Sequence, residues 1–158
     1  MVQSQSNGGA NGSACIEQIT KAIGAHGAWK HRLKHAIDSG VSDISPEKVA
    51  VDNQCEFGKW LHSLPESERQ SEEYRQAKAL HACFHREAGE VLRLALGGEK
   101  EQAMRCIAVD GSFGIASEKL TAQMAAWKSV MSHQHTPAVA AFAGRHSPVE
   151  SGDFFRNS

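Results

Sequence analysis

The sequence has no apolar run near the roughly 20 residues that a membrane-spanning helix requires. Its opening stretch, Met1-Val2-Gln3-Ser4-Gln5-Ser6-Asn7-Gly8-Gly9, has neither the charged nor the apolar region of a secretory signal. An excess of either charge is also missing: 17 Lys and Arg stand against 18 Asp and Glu, a formal net charge of −1. Nucleic-acid backbones are usually gripped by a clearly basic stripe, so that partner is excluded. The expectation is a cytoplasmic protein with no membrane insertion. At 158 residues there is room for one domain with its own core, and too little for two. What the chain does have is nine His and four Cys, at positions 15, 55, 83 and 106. In a reducing compartment such cysteines raise the question of a metal site before that of disulfides.

Residues 1–13 and 132–158 are dominated by small and polar side chains, too little apolar surface to order themselves, and both ends are expected to be disordered. Between them, over 14–131, the apolar period is helical and no convincing strand or internal repeat interrupts it. Ile16, Ile19, Ile23, His26, Trp29, Leu33 and Ile37 recur at steps of three and four, one face of an amphipathic helix. Ser13, with Asn11 as an alternative, fits its N-cap, and Gly40 its stop. Val41 to Asn53 reads as a connection in which Pro46 opens a single turn. Asp52 or Asn53 then caps a short helix through Phe57, Trp60 and Leu61 to Pro65. A third helix fits from Ser67 or Ser71 to Gly97-Gly98. A fourth carries Met104, Ile107, Phe113, Leu120, Met124, Trp127 and Met131, with Gly111 and Gly114 weakening its middle by about 1 kcal/mol each against Ala. The fold class predicted is all-α: an antiparallel four-helix-type bundle of three long helices plus a short Cys-bearing helix.

Four residues in this frame have the chemistry of metal ligands. His81 and His85 leave one face of the third helix about a turn apart. His26 lies on the apolar stripe of the first helix. Cys55 sits at the start of the short helix, where backbone N–H groups and the helix dipole favour thiolate over thiol. Three imidazoles and a thiolate make a closed tetrahedral zinc site. Each element is ordinary alone; the force lies in three helices each aiming a donor inward. His31 and His35, also four apart, lie roughly 140–180° around the helix from His26, among Lys30, Arg32 and Lys34, and read as surface residues. His62 reads as exposed, and His133, His135 and His146 belong to the tail. Cys83 points away from its flanking histidines, and Cys15, Cys83 and Cys106 read as small hydrophobes.

The quartet and its surroundings resemble the chemoreceptor zinc-binding domain of bacterial soluble chemoreceptors and zinc-regulated diguanylate cyclases. The matching motifs are His26 with Trp29, Cys55-Glu56-Phe57-Gly58-Lys59-Trp60, and His81-Ala82-Cys83-Phe84-His85. The stretch Ala22-Ile23-Gly24-Ala25-His26-Gly27-Ala28-Trp29 looks like the cyclase-linked members. The resemblance implies a helical bundle binding one zinc ion per chain through His26, Cys55, His81 and His85. It also implies homodimers, and a regulatory signal, carried by zinc occupancy or Cys55 oxidation, to an output protein such as a chemoreceptor or diguanylate cyclase. No output domain accompanies these motifs, so the expectation is a stand-alone sensor.

Two other classes were weighed. A catalytic zinc site keeps a coordination position open, whereas this donor set is full and no His-Glu-x-x-His motif is present, so no enzyme is expected. The alternative is a hemerythrin-like di-iron bundle, which requires further His and carboxylate ligands. The stretch from Met104 to Met131 holds no His to supply them.

Overall fold

The structure is a computed structural model that describes residues 8–134, and all of its regular elements are helices. The expected disordered ends therefore lie mostly outside the described residues, and the parts of them inside, 8–13 and 132–134, are helical. The first helix of the sequence reading is two: α1 (Gly8–Gly27) and α2 (Trp29–Ser39). The break is slight. Ala28 N–H bonds to the Gly24 carbonyl at 3.2 Å and Arg32 N–H to the Ala28 carbonyl at 3.3 Å, so the ladder runs on across it. Asn11 and Ser13 lie within α1 and are not its cap. Gly12 and Cys15 are buried in a surface shared with Ser71 and Trp127, and that packing overrides the poor helix propensity of Gly and Asn. Gly40 ends α2 as expected, at φ 72°, with its N–H on the Ala36 carbonyl at 2.8 Å.

The connection that follows contains three short helices: α3 (Pro46–Ala50), α4 (Glu56–Ser63) and α5 (Glu66–Arg69). Pro46 opens α3, and the Ser45 side chain accepts from Lys48 N–H. Neither Asp52 nor Asn53 caps α4; Cys55 does, through its sulfur. Ser71 caps the long α6 (Glu72–Leu96) by accepting from Tyr74 N–H at 3.2 Å.

The expected fourth helix is interrupted, giving α7 (Lys100–Ile107) and α8 (Ser112–Gln134). The two glycines mark the reason. A Cβ at Gly111 would lie 2.1 Å from the Arg105 carbonyl oxygen, and one at Gly114 would lie 2.0 Å from that of Ala108. Only glycine permits so tight a return of the backbone.

Three long rods thus make the bundle, α1–α2, α6 and α8, with α4 laid against α1 and α6. α8 runs antiparallel to α6: Phe113 at its start meets Phe84, and Trp127 near its end meets Tyr74. α1–α2, in contrast, runs in the same direction as α6. His26 meets His81 and His85, while Asp38 at the far end of α2 accepts a hydrogen bond from Lys100, just beyond α6. The 41–71 connection makes this parallel pairing by carrying the chain back to its starting end.

The core between the rods holds Ile19, Leu33, Ile37, Phe84, Leu92, Phe113, Leu120 and Met124, all essentially without solvent contact. Each such side chain is worth about 1.5–3 kcal/mol on burial. In the same interior, and nearly as dry, lie His26, His81 and His85.

Candidate metal centre

His26 comes from the last turn of α1, His81 and His85 from the middle of α6, and Cys55 from the N-cap of α4. Their donor atoms all lie within 4.8 Å of one another. His81 Nε2 is the hub, 3.1 Å from His26 Nε2, 3.1 Å from His85 Nε2 and 3.2 Å from Cys55 Sγ. Phe57 and Phe84 wall the cluster with edge-on ring contacts to His26 at 5.8 and 5.0 Å between centroids.

Hydrogen bonds on the far side of two rings fix which nitrogen is free. His26 Nδ1 is 2.7 Å from the Ala22 carbonyl, and His85 Nδ1 is 2.8 Å from the Val49 carbonyl. A carbonyl can only accept, so each Nδ1 holds the proton and each Nε2 presents a lone pair inward. His81 differs: its Nδ1 is buried with no hydrogen-bond partner.

Burial keeps the imidazoles neutral. Desolvation, with the repulsion of His85 behind it, pushes His26 down to about 4. His81 and His85 are pushed down by the same cause. For Cys55 the outcome differs from the sequence expectation. Its sulfur does accept from Gly58 N–H at 3.3 Å, which favours thiolate, but burial outweighs this and raises the thiol. Nearby Asp52 pushes the same way. The helix N-terminus does not offset burial at Cys55; a cation beside the sulfur would favour the thiolate.

The donors fit zinc. A tetrahedral site with zinc–nitrogen bonds of about 2.0–2.1 Å has nitrogen–nitrogen edges of about 3.3 Å; the two edges to His81 are 3.1 Å, and all donor atoms lie within 4.8 Å of one another. His26 Nε2 and His85 Nε2 both present lone pairs towards His81 Nε2 at 3.1 Å, an arrangement that a cation among the donors would bridge. Three borderline nitrogens and one soft sulfur are a zinc set, with no carboxylate among them. A di-iron centre needs carboxylates, and among the described residues no other group of three or more His, Cys, Asp and Glu comes together.

The remaining histidines and cysteines among the described residues stay out of the cluster, and His133, expected in the tail, lies in α8. His31, His35 and His62 are exposed, and His133 is exposed on the last turn of α8. His135 and His146 lie outside the described residues. Cys15 is buried, Cys83 and Cys106 half-buried, and none joins the cluster. Trp29 packs on the core edge under the Arg32 guanidinium, 4.5 Å from its ring centre, rather than against the cluster.

Sequence reasoning missed the contributions of backbone. The carbonyls of Ala22 and Val49 orient two rings and leave no mark in residue identity. Gly58 was visible as part of a motif but not its task. A Cβ there would lie 1.7 Å from the Asp52 carbonyl oxygen and 3.1 Å from His81 Cε1, so glycine lets α4 lie close enough to bring Cys55 to His81.

An all-α bundle in which three buried His and a half-buried Cys converge has the donor set of a metal-binding domain. Residues 26–92, which include all four cluster residues, match the model of the chemoreceptor zinc-binding domain. The cofactor is zinc, and the cluster has the donors for one ion. No curated protein and no solved structure matches the chain. Among the described residues no helix is long and apolar enough to cross a membrane.

Proposed function

We propose that this chain is a zinc-dependent sensor module in which His26, His81 and His85 donate Nε2 and Cys55 donates a thiolate to a single zinc ion. The observation that supports the reading most is convergence: four donors from three separate helices meet in the core, with two imidazoles already oriented by backbone carbonyls. Bound there, zinc supplies a positive charge that holds the sulfur as thiolate and ties α1, α4 and α6 together. The domain that performs this extends beyond the matched 26–92 to the whole bundle, because α8 forms one wall of the core that holds the histidines. Four protein donors leave no position for a substrate, so the role is regulatory and not catalytic.

The signal is the state of the site, either zinc occupancy or oxidation of Cys55, read by a partner or output protein. Chemoreceptor or diguanylate cyclase pathways in the cytoplasm, and a homodimeric assembly, are the settings that the family resemblance supplies.

Metal analysis of the purified protein, with and without Cys55→Ser, tests the reading. One zinc per chain, lost or strongly weakened in the variant, is the expected result. Two irons per chain, or zinc indifferent to Cys55, would overturn it.

A further inference from the structure

α3 is only five residues long, yet it lies tightly across α6 and carries one of the two carbonyls that orient the zinc cluster. The close approach has a single cause. Gly89 on α6 is buried beneath α3, and a Cβ there would lie 2.8 Å from Ala50 Cβ and 2.9 Å from the Pro46 carbonyl oxygen. One turn before Gly89 on the same helix is His85, whose Nδ1 bonds to the Val49 carbonyl at 2.8 Å. Any side chain at 89 lifts α3, and the carbonyl rises with it.

We propose that Gly89 is a positioning residue for the zinc site, acting through α3 and the Val49 carbonyl to fix the tautomer and direction of His85. Gly89 touches neither the donors nor the metal. By admitting α3 it places an acceptor behind His85 Nδ1, which keeps the proton there and the Nε2 lone pair facing Cys55, His26 and His81. Groups that orient a ligating imidazole are commonly worth 10–100-fold in metal affinity. This inference rests on the ligand set proposed above.

The test uses the full chain and zinc itself, with affinity measured by competition against a chelator. Nitrogen NMR of the metal-free protein reports the His85 tautomer. Gly89→Ala should weaken zinc by about 10–100-fold and turn His85 from a fixed Nδ1–H form into a mixture. Helix content should hold, since Ala favours α6 more than Gly does. Adding Ala50→Gly removes the nearest clash and should recover part of the affinity. Ser45→Ala loosens α3 by removing its cap without adding bulk, and should shift the tautomer in the same direction even if Gly89→Ala fails to fold. Unchanged affinity in Gly89→Ala would overturn the proposal. So would weakened zinc with His85 still fixed, or a double variant no better than the single one. The ligand reading fails separately, by His85→Ala binding zinc as the parent does.

Discussion

His26 and His85 each have a carbonyl behind the ring, while His81 has nothing behind its own. On the proposed ligand set the three imidazoles are therefore unequal. Coordination through His81 Nε2 puts the proton on Nδ1, a buried donor with no acceptor, a penalty of about 1–3 kcal/mol. His81 is nevertheless the hub of the cluster, so its removal opens all three of the close donor contacts. Replacing His81 or His85 by Ala should weaken zinc by more than the 10–100-fold typical of an outer-shell group. Replacing exposed His31 and His35 together should leave chelator-measured affinity within about twofold, and equal losses in both pairs would refute the assignment. Gly58→Ala places a Cβ against the Asp52 backbone and the His81 ring. It should destabilise the protein by about 1–3 kcal/mol and weaken zinc as well; a thermal melt and zinc titration matching the parent would contradict this. The four residues that cluster were legible because side-chain identity and helical spacing carry them. The carbonyls were not, because every residue has one, and which of them faces an imidazole depends on how elements pack.

α4 contributes one donor, and that same sulfur caps its first turn, while Phe57 and Leu61 bury in the core and Trp60 packs on Trp127. Oxidising Cys55 to sulfenic acid with a peroxide removes the donor and the cap together, so α4 should loosen while α6 and α8 persist. Hydrogen exchange should then rise over 53–64, together with zinc release, and Cys55→Ser should start near that state and respond little. The same exchange pattern with Cys55 unmodified and Cys83 or Cys106 oxidised would exclude this route. The element boundaries show what sequence could supply. Gly40, Pro46 and Ser71 act where their chemistry predicts, because each determines backbone conformation locally. The start of α1 and the cap of α4 differ from expectation. At the first, tertiary packing recruits Gly12 into a helix; at the second, a cysteine does work normally left to Asp or Asn.

Across the whole molecule the buried histidines make metal-free stability depend on acidity. In the unfolded chain an imidazole titrates near 6.5, whereas burial holds all three lower in the fold and His26 at about 4. Between those values the unfolded state binds more protons, so stability rises with pH there. It is fully present above 6.5 and is lost as pH falls towards 4. The melting temperature of metal-free protein should drop over that window, and His26→Gln should flatten the slope; a melting temperature constant from pH 7 to 4.5 would contradict it. The direction of the rods was the part that sequence hid, since periodicity reports which face is buried and not which way a helix runs. That direction has a kinetic consequence. α6 and α8 are separated in sequence only by the short α7 and pair antiparallel, so they can meet early. The parallel seam between α1–α2 and α6 must wait for the 41–71 connection to close. The donors of the zinc cluster lie on that late seam, and interactions formed after the folding barrier act on unfolding. Zinc should therefore slow unfolding many-fold while scarcely changing the refolding rate, a split that stopped-flow measurements with and without metal would expose. Once closed, the seam is a latch: the ion keeps the fold shut for far longer than it helps the fold to form.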